Sequence, residues 1–540
     1  MPHATKSLAL DVAALRAPMQ QTHDTGVNFS TAWRRTQLET LQRMVNEHRH
    51  ELLQALYQDL GKHRTEAACT ELIIVENEIE YFLKHLSALT AVRQVPTPAV
   101  LLPAFSSVTH RPLSAPACLV IGPSNYPVSL SLQPTIGSLA AGNPTVLKPS
   151  ELCLHVSRLL QRLVAQYFDP SALVVVQGGV AETTALLKEP WGLVFFTGSE
   201  RVGKLVAAAA AQTLSPVILE LGGKCPCYVD ETAPADIKAV ANRIIWAKLL
   251  NAGQTCAAID TLIVHVSLVD KLVPELVATL RQQFGVDPAV GELGRIVDPG
   301  HAARHVALIQ EVERAAAVVD SPTKMIVGGS ATCDARSGYV CPTIVLNPPA
   351  DCRLATEEIF GPILPIRTVA SRAQAIQVMR DMPGTPLCLY VFTKSAAVFD
   401  EIKQKCPSAS AMRNDALVHL ASLEFPFGGL GTSGYGGYHG KHSFESFSHQ
   451  HLSMYRPCAP GIDLCMARYH PFGNFKGPYL VEPAVRLPSV PVLHCKAWML
   501  LLTVAGALRY VPAGQELVKI AATALASVLE RSAAFLREGA

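Results

Sequence analysis

The amino-acid sequence predicts an α/β protein whose main sheet is parallel and doubly wound. Three observations lead there. Between residues 117 and 223 short apolar runs alternate with helical ones, which is the pattern of repeated strand–helix units. One strand of that series gives way to a helix through Gly198-Ser199-Glu200-Arg201-Val202-Gly203, and sheets of this kind bind ligands at the carboxyl ends of their strands. The 540 residues exceed one ordinary core, so two or three domains are expected.

Taken in chain order, the elements begin with helices. In residues 33–63, Leu38, Leu41, Met44, Leu52, Leu53 and Leu56 recur near helical spacing with charges between them, and Gly61 supplies a stop. A second helical stretch runs from Glu66 to Leu86. Residues 93–116 are proline-rich and without period, so they predict an arm, an edge hairpin or a loop. Strand-like runs then follow at 117–123, 145–151, 173–179, 192–199 and 216–223. Helices are expected between them near 130–141, 153–168, 183–188 and 202–212. No internal repeat or low-complexity tract is visible.

Composition narrows the class. A hydrophobic share of 49% with 17% charged residues suits a buried globular core, not a disordered chain. A formal net charge of +2 gives no electrostatic footprint for a nucleic-acid partner. The 14 cysteines form no disulfide framework and contain no CxxC pair, so free thiols in a reducing, cytoplasmic setting are expected, and no metal site. The first residues lack the apolar core of a secretory signal, and the last carry no lipidation or peroxisomal motif.

Several short segments hold chemistry. The 198–203 turn offers close backbone approach and a helix N-terminus, both suited to a phosphate. ELGGK (220–224) places a carboxylate at a strand end beside two glycines. NAGQTC (251–256) presents a cysteine after small and polar residues. EEIFGP (357–362) puts a carboxylate and an aromatic beside a Gly-Pro turn. Singly, each has a blander and commoner reading: Glu220 as a surface carboxylate, Cys256 as an inert buried thiol and Phe360 as a core aromatic.

Together, and in this order with SNYP (124–127), LKPSE (147–151), FTGSERVG (196–203) and PFGGLGTSGYGGYHGKHSFESFSH (426–449), they make the sequence resemble the aldehyde dehydrogenase superfamily. The likeness is greatest to the class 3 branch, which includes fatty aldehyde dehydrogenases, and it spans about Trp33 to Tyr469. The resemblance implies NAD(P)-dependent oxidation of an aldehyde, medium- or long-chain aliphatic or aromatic, to a carboxylic acid. Cys256 would be the nucleophile, the Asn125 amide and the Cys256 N–H the oxyanion donors, and Glu220 the base that activates water. Lys148 and Glu151 would reach the adenosine ribose, and Gly198, Ser199 and Gly203 would lie by the pyrophosphate. Glu358 would hold the nicotinamide ribose, with Phe360 near the ring. A carboxylate at the ribose favours NAD over a 2′-phosphate, although class 3 relatives with this glutamate also accept NADP.

The fold implied is a cofactor-binding domain over 30–219, interrupted by the arm 93–116, and a catalytic domain over 220–412. A bridging segment over 413–460 and a tail over 461–540 complete it, and in the family such arms build a homodimer. Two other functions fit the same fold less well. A CoA-acylating dehydrogenase would leave Glu220 little to do. A non-catalytic structural role on the same fold fits poorly with Cys256, Glu220 and Asn125 all present.

Departures and loose ends remain. Ser124 stands where the family usually has an aromatic residue, near the substrate entrance. Asn414 and His439 match class 3 segments and are expected to anchor loops; Cys225 and Cys227 are expected to pack. In the tail, AWMLLLTVAGAL (497–508) is shorter than the roughly 20 residues of a spanning helix. With a helical pattern over 516–540, it predicts either packing on the body or a partner subunit, or peripheral attachment to a membrane.

Overall fold

The structure is a computed structural model of the chain. It describes residues 10–98, 101, 104–285, 291–458, 469–471, 486 and 489–490. By contacts, the described residues fall into two units: those within Met1–Leu89 and Pro112–His449, and those within Thr90–Arg111 and Gln450–Ala540.

In the first unit, helices open the chain at Val12–Thr25, Thr31–Glu47, Arg49–Leu60 and Ile73–Thr90. Thr31–Glu47 starts at Ser30, whose Oγ accepts from the Trp33 N–H at 3.2 Å, and it buries Leu38, Leu41, Met44 and Val45. Gly61, at φ 60°, ends Arg49–Leu60 in the left-handed conformation that a glycine adopts without strain. The helix Val12–Thr25 was not anticipated. It carries Pro18 and buries only Val12, Met19 and Thr22, too sparse a stripe to read as a period.

The first sheet is made of β1 (Cys118–Ile121), β2 (Thr145–Lys148), β3 (Leu173–Val175), β4 (Val194–Thr197) and β5 (Val217–Glu220). They are mutually parallel in the order β3-β2-β1-β4-β5. The reversal of direction between β1 and β4 is the switch point at which doubly wound sheets bind ligands. β1, β2 and β4 are buried end to end and mostly apolar, as expected when helices cover both faces. Those helices are Ser129–Ala140, Leu154–Tyr167, Val180–Leu187 and Glu200–Ala211, within a residue or a few of the expected positions.

The second sheet holds β6 (Pro226–Val229), β7 (Thr261–His265), β8 (Lys324–Val327), β9 (Thr343–Leu346), β10 (Ile363–Val369), β11 (Cys388–Phe392) and β12 (Ser410–Arg413). Their order is β8-β9-β10-β7-β6-β11-β12, parallel except for β8. The chain then crosses back. β13 (Gly434–Tyr435) pairs antiparallel with β5, bringing Gly434 opposite Glu220. A Cβ at Gly434 would meet the Leu219 carbonyl oxygen, so only glycine allows this approach. Helix Gly440–Ser446 follows and lies on Ser129–Ala140, where Gly137 leaves room for Ser443.

In the second unit the proline-rich arm forms a hairpin. Arg93–Val95 pairs antiparallel with Phe105–Arg111, and His449–Tyr455 adds a third strand. Among the described residues no helix is long and apolar enough to cross a membrane. The tail segments 497–508 and 516–540 lie outside the described residues.

Candidate active site

The nucleophile candidate sits on a strained loop. After helix Ile237–Leu249 the chain turns through Asn251 (φ 55°), Ala252 (φ 53°) and Gly253 (φ 78°), three consecutive residues in left-handed space. Two are not glycine, and such strain persists only where the surroundings over-determine it. Here they do. The Gln254 Nε2 donates to the Asn251 and Arg295 carbonyls at 3.1 and 3.0 Å, and its Oε1 accepts from Val297 N–H at 3.0 Å. Gly253 packs so tightly on the Gly361 carbonyl that a Cβ would clash, which ties the NAGQTC loop to the EEIFGP loop.

Asn125 joins this loop from the first sheet. Its Nδ2 donates to the Gln254 carbonyl at 3.0 Å, and its own carbonyl accepts from Asn251 Nδ2 at 2.7 Å. The same carbonyl accepts from Lys62 Nζ at 3.0 Å. Lys62 is fully buried and paired with the equally buried Glu71 at 2.6 Å. The other Glu71 oxygen accepts from the N–H groups of Val128 and Ser129 at 3.0 and 2.9 Å, at the start of helix Ser129–Ala140, where a carboxylate complements the helix dipole. Neither Lys62 nor Glu71 stood out in the sequence, because their partners are remote in the chain. Tyr126 Oη and Thr255 Oγ1 lie 2.6 Å apart and close the contact next to Cys256.

Glu220 ends β5. It is buried, and neither carboxylate oxygen has a hydrogen-bond partner. Burial alone therefore raises its pKa well above the usual carboxylate range. An orphaned buried carboxyl group is costly in a fold and calls for a functional account. Cys256 is half-buried at the surface of the same region. Burial pushes its thiol up, with further contributions from Cys388, Glu358 and Glu220. In this state the thiol is protonated and needs a base to become a nucleophile.

Glu358 reaches across to the ELGGK turn. Its Oε1 accepts from the Gly223 N–H at 3.0 Å, and its carboxylate fills the space a Gly222 Cβ would occupy. Burial lifts its pKa to about 7 against the lowering effect of that hydrogen bond. Phe360 follows at φ 53°. Four side chains clamp this loop. Lys224, buried and paired with Asp260, donates to the Leu354 and Glu357 carbonyls, each at 2.8 Å. Asp260 accepts from Ile359 N–H at 2.8 Å. Arg304 donates to the Glu358 and Ile359 carbonyls at 2.6 and 3.0 Å, and His305 Nε2 lies 2.8 Å from the latter. Of these only Lys224 belongs to a motif visible in the sequence.

The remaining site candidates lie along the carboxyl edge of the first sheet. Lys148, at the end of β2, is buried and pairs with the half-exposed Glu151 at 2.6 Å. Gly198 N–H donates to the Glu220 carbonyl at 3.0 Å, joining the turn after β4 to the end of β5. Ser199 caps helix Glu200–Ala211 through its Oγ, 3.4 Å from Val202 N. At Gly203 a Cβ would lie 2.8 Å from a Leu221 methyl, so glycine lets the helix close on the strand end. An open helix N-terminus, a glycine cradle and a lysine–carboxylate pair at a switch point suit a dinucleotide's phosphates and ribose hydroxyls.

Asn414 and His439 hold loops. Asn414, at φ 63°, accepts from Thr393 N–H at 2.8 Å. His439 is buried and stacked on Phe427 with ring centroids 5.3 Å apart. Cys225 does more than pack: its Sγ lies 3.5 Å from the Cys256 carbonyl and donates to it.

Both the sequence and the fold match known proteins. The model of the aldehyde dehydrogenase family matches residues 3–452. The chain is 38% identical to 4,4'-diaponeurosporen-aldehyde dehydrogenase of Staphylococcus aureus over 80% of its length and 92% of that protein's. It is 38% identical to aldehyde dehydrogenase family 3 member H1 of Arabidopsis thaliana, over 83% and 90%. The dimeric NADP-preferring aldehyde dehydrogenase of Canis lupus familiaris matches at 38%, over 78% and 89%. Among solved structures, the substrate-bound state of Staphylococcus aureus AldH superposes with a TM-score of 0.78 at 36% identity, covering 83% of this chain and 95% of that one. The chain therefore belongs to the aldehyde dehydrogenase family, aligned with its class 3 members, and is an enzyme of that family.

Proposed function

We propose that this enzyme oxidises aldehydes to carboxylic acids with NAD, and also with NADP, through a thioester on Cys256. The observation that carries the reading is Glu220: a buried carboxyl group with no partner, beside the only cysteine that NAGQTC presents on a strained loop. Cys256 loses its proton to solvent, and the thiolate adds to the carbonyl carbon to give a thiohemiacetal. The second N–H of the Asn125 amide and the Cys256 N–H receive the oxyanion; losing one such donor costs about 2.7–4 kcal/mol of transition-state stabilisation. Lys148, Glu151, Gly198, Ser199 and Gly203 hold the dinucleotide, with Glu358 and Phe360 at its nicotinamide end. When bound, the nicotinamide supplies the hydride acceptor. Glu220 then deprotonates a water that attacks the thioester, the C–S bond breaks, and acid and free Cys256 result.

The substrates are apolar aldehydes of medium or long chain, or aromatic ones. In keeping with this, one relative is named for a diaponeurosporen aldehyde. The domains divide as 30–219, 220–412 and 413–460, following the two sheets and the return strand. The assembly is a homodimer built through the arm, as the name of the canine relative suggests for that protein. The tail over 461–540 attaches peripherally to membrane, a role motivated by its sequence alone. The test of the chemistry is Cys256→Ser. NADH formation from an aldehyde without CoA falls below about one part in a hundred, while dinucleotide binding is retained. Residual turnover above that level removes Cys256 from the mechanism.

A further inference from the structure

Behind the nucleophile loop, three neighbouring strands of the second sheet place thiols and a hydroxyl in one row. Tyr390 of β11 is level with Cys227 of β6, and Cys388 is level with Ser410 of β12. Two residues back along β6 and β11, Cys225 therefore stands beside Cys388, and the Cys388 N–H donates to Cys225 Sγ at 3.3 Å. Side chains alternate faces along a strand. Cys225, Cys227, Cys388 and Tyr390 all enter one core, while Tyr228, Leu389 and Val391 enter the core on the other face. The two thiols thus share a face on adjacent strands about 4.8 Å apart, inside the Cα separation that a disulfide accepts.

The surroundings are asymmetric. Cys388 Sγ lies 3.1 Å from Ser410 Oγ and 3.9 Å from His419 Nε2. Ser410 and His419 line a cavity of about 240 Å³, so a small solute has a path to the neighbours of Cys388. Burial pushes the Cys388 thiol up, but Cys225, His419 and Ser410 outweigh it and bring it below the ordinary range. Cys225 also has an acceptor of its own. It donates to the Cys256 carbonyl, while Tyr390 Oη donates to the Ala257 carbonyl at 2.8 Å. The sheet thus supports the nucleophile loop through one thiol and one phenol.

We infer that Cys225 and Cys388 form an oxidisable dithiol, a modification site for hydroperoxides set directly behind the nucleophile. The Cys388 thiolate attacks a peroxide oxygen, the O–O bond breaks, and a sulfenic acid forms on Cys388 as an alcohol or water leaves. Cys225 sulfur then attacks the sulfenic sulfur. The S–S bond forms, the S–O bond breaks, and the hydroxyl leaves as water with the Cys225 proton. Two thiols and one hydroperoxide yield one disulfide, one alcohol (or water) and one water. The Cys225 S–H is consumed, so the Cys256 carbonyl loses its donor. The consequence for turnover rests on Cys256 being the nucleophile; bond formation does not.

The experiment uses the full chain carrying Cys256→Ser, treated with hydrogen peroxide or cumene hydroperoxide, alkylated, digested with trypsin and read by mass spectrometry. The expected product joins the peptides containing Cys225 and Cys388 with loss of two hydrogens. Fragment ions place the bond on Cys225, and adding Cys227→Ala leaves it in place. Adding Cys388→Ala or Cys225→Ala abolishes it. With Cys256 present, peroxide lowers kcat, and a part of the loss returns with dithiothreitol. That part is about two- to ten-fold, as expected for one weak hydrogen bond, and is missing in Cys388→Ala. The inference is overturned if both thiols stay alkylatable at peroxide levels that oxidise Cys256, or if Cys225 links to Cys256 instead of Cys388. The cross-link is read with neither aldehyde nor dinucleotide, so its absence leaves the dehydrogenase reading standing.

Discussion

Two strand ends of the first sheet carry buried charge-bearing side chains, and they are treated in opposite ways. At the end of β2, Lys148 is paired at 2.6 Å with Glu151, which is 46% exposed. At the end of β5, Glu220 is buried with neither oxygen partnered. The first arrangement is cheap to maintain and adjustable, because Glu151 can exchange Lys148 for a ligand hydroxyl at little cost in solvation. The second is expensive and persists because everything around it is fixed by other groups. A paired, half-wet charge suits recognition, and a bare, dry carboxyl group suits proton transfer.

The sharpest way to break the comparison is Glu220→Gln. Hydride transfer persists as a burst of NADH, while steady-state turnover falls about 10²–10⁴-fold and an acyl adduct accumulates on Cys256. Mass spectrometry of the quenched enzyme reads that adduct, and unchanged steady-state turnover would take Glu220 out of the mechanism. Next comes the scaffold that pays for the site. Lys62→Met strands the Glu71 charge at 0% exposure and removes a donor from the Asn125 carbonyl, so urea denaturation shows a loss of about 3–5 kcal/mol. Lys148→Met, by contrast, changes stability by less than about 1 kcal/mol and raises KM for the dinucleotide.

Glu78 tests what hydrogen bonds do for a buried carboxylate. It accepts from Gly440 N–H at 2.8 Å and from Gln133 Nε2 at 3.2 Å, yet burial still lifts its pKa to about 7. A folded pKa above the unfolded value means that folding favours the protonated form. The penalty is absent below about pH 4, grows as pH rises, and is complete above pH 7, amounting to roughly 3 kcal/mol. Glu78→Gln removes this slope, so the fall in stability between pH 4 and pH 8 shrinks by that amount. The smallest effect is on cofactor choice. Glu151→Gln withdraws one negative charge from the ribose site and moves the NADP-to-NAD ratio of kcat/KM toward NADP by about ten-fold. An unmoved ratio would place Glu151 away from the ribose.

The contrast between these regions also explains what could be read from the sequence. The strand–helix series was legible because each unit has its own local period. The turns at 198–203 and 220–224 were legible because glycine marks a backbone requirement. The partners that hold the site in shape were not. Lys62, Glu71, Asp260, Arg304 and His305 act on carbonyl and N–H groups dozens of positions away, and nothing in their own neighbourhoods announces it. Cys225 was read as packing because the row it shares with Cys388 exists only once β6 lies beside β11. Helix Val12–Thr25 escaped because its buried stripe is thin and interrupted by a proline.

The hydrogen bond from Gly440 to Glu78 joins positions 362 residues apart, and its consequence lies in synthesis. A ribosome must extrude nearly the whole body before β13 can seal the edge of β5 and Ser443 can settle against Gly137. Until then a nascent chain holds the first sheet with the outer edge of β5 open, and that strand ends in Glu220. An open strand edge of this kind recruits other chains. Chaperone occupancy during translation should therefore persist until the segment around Gly440 has emerged and docked, not end when the five parallel strands are in place.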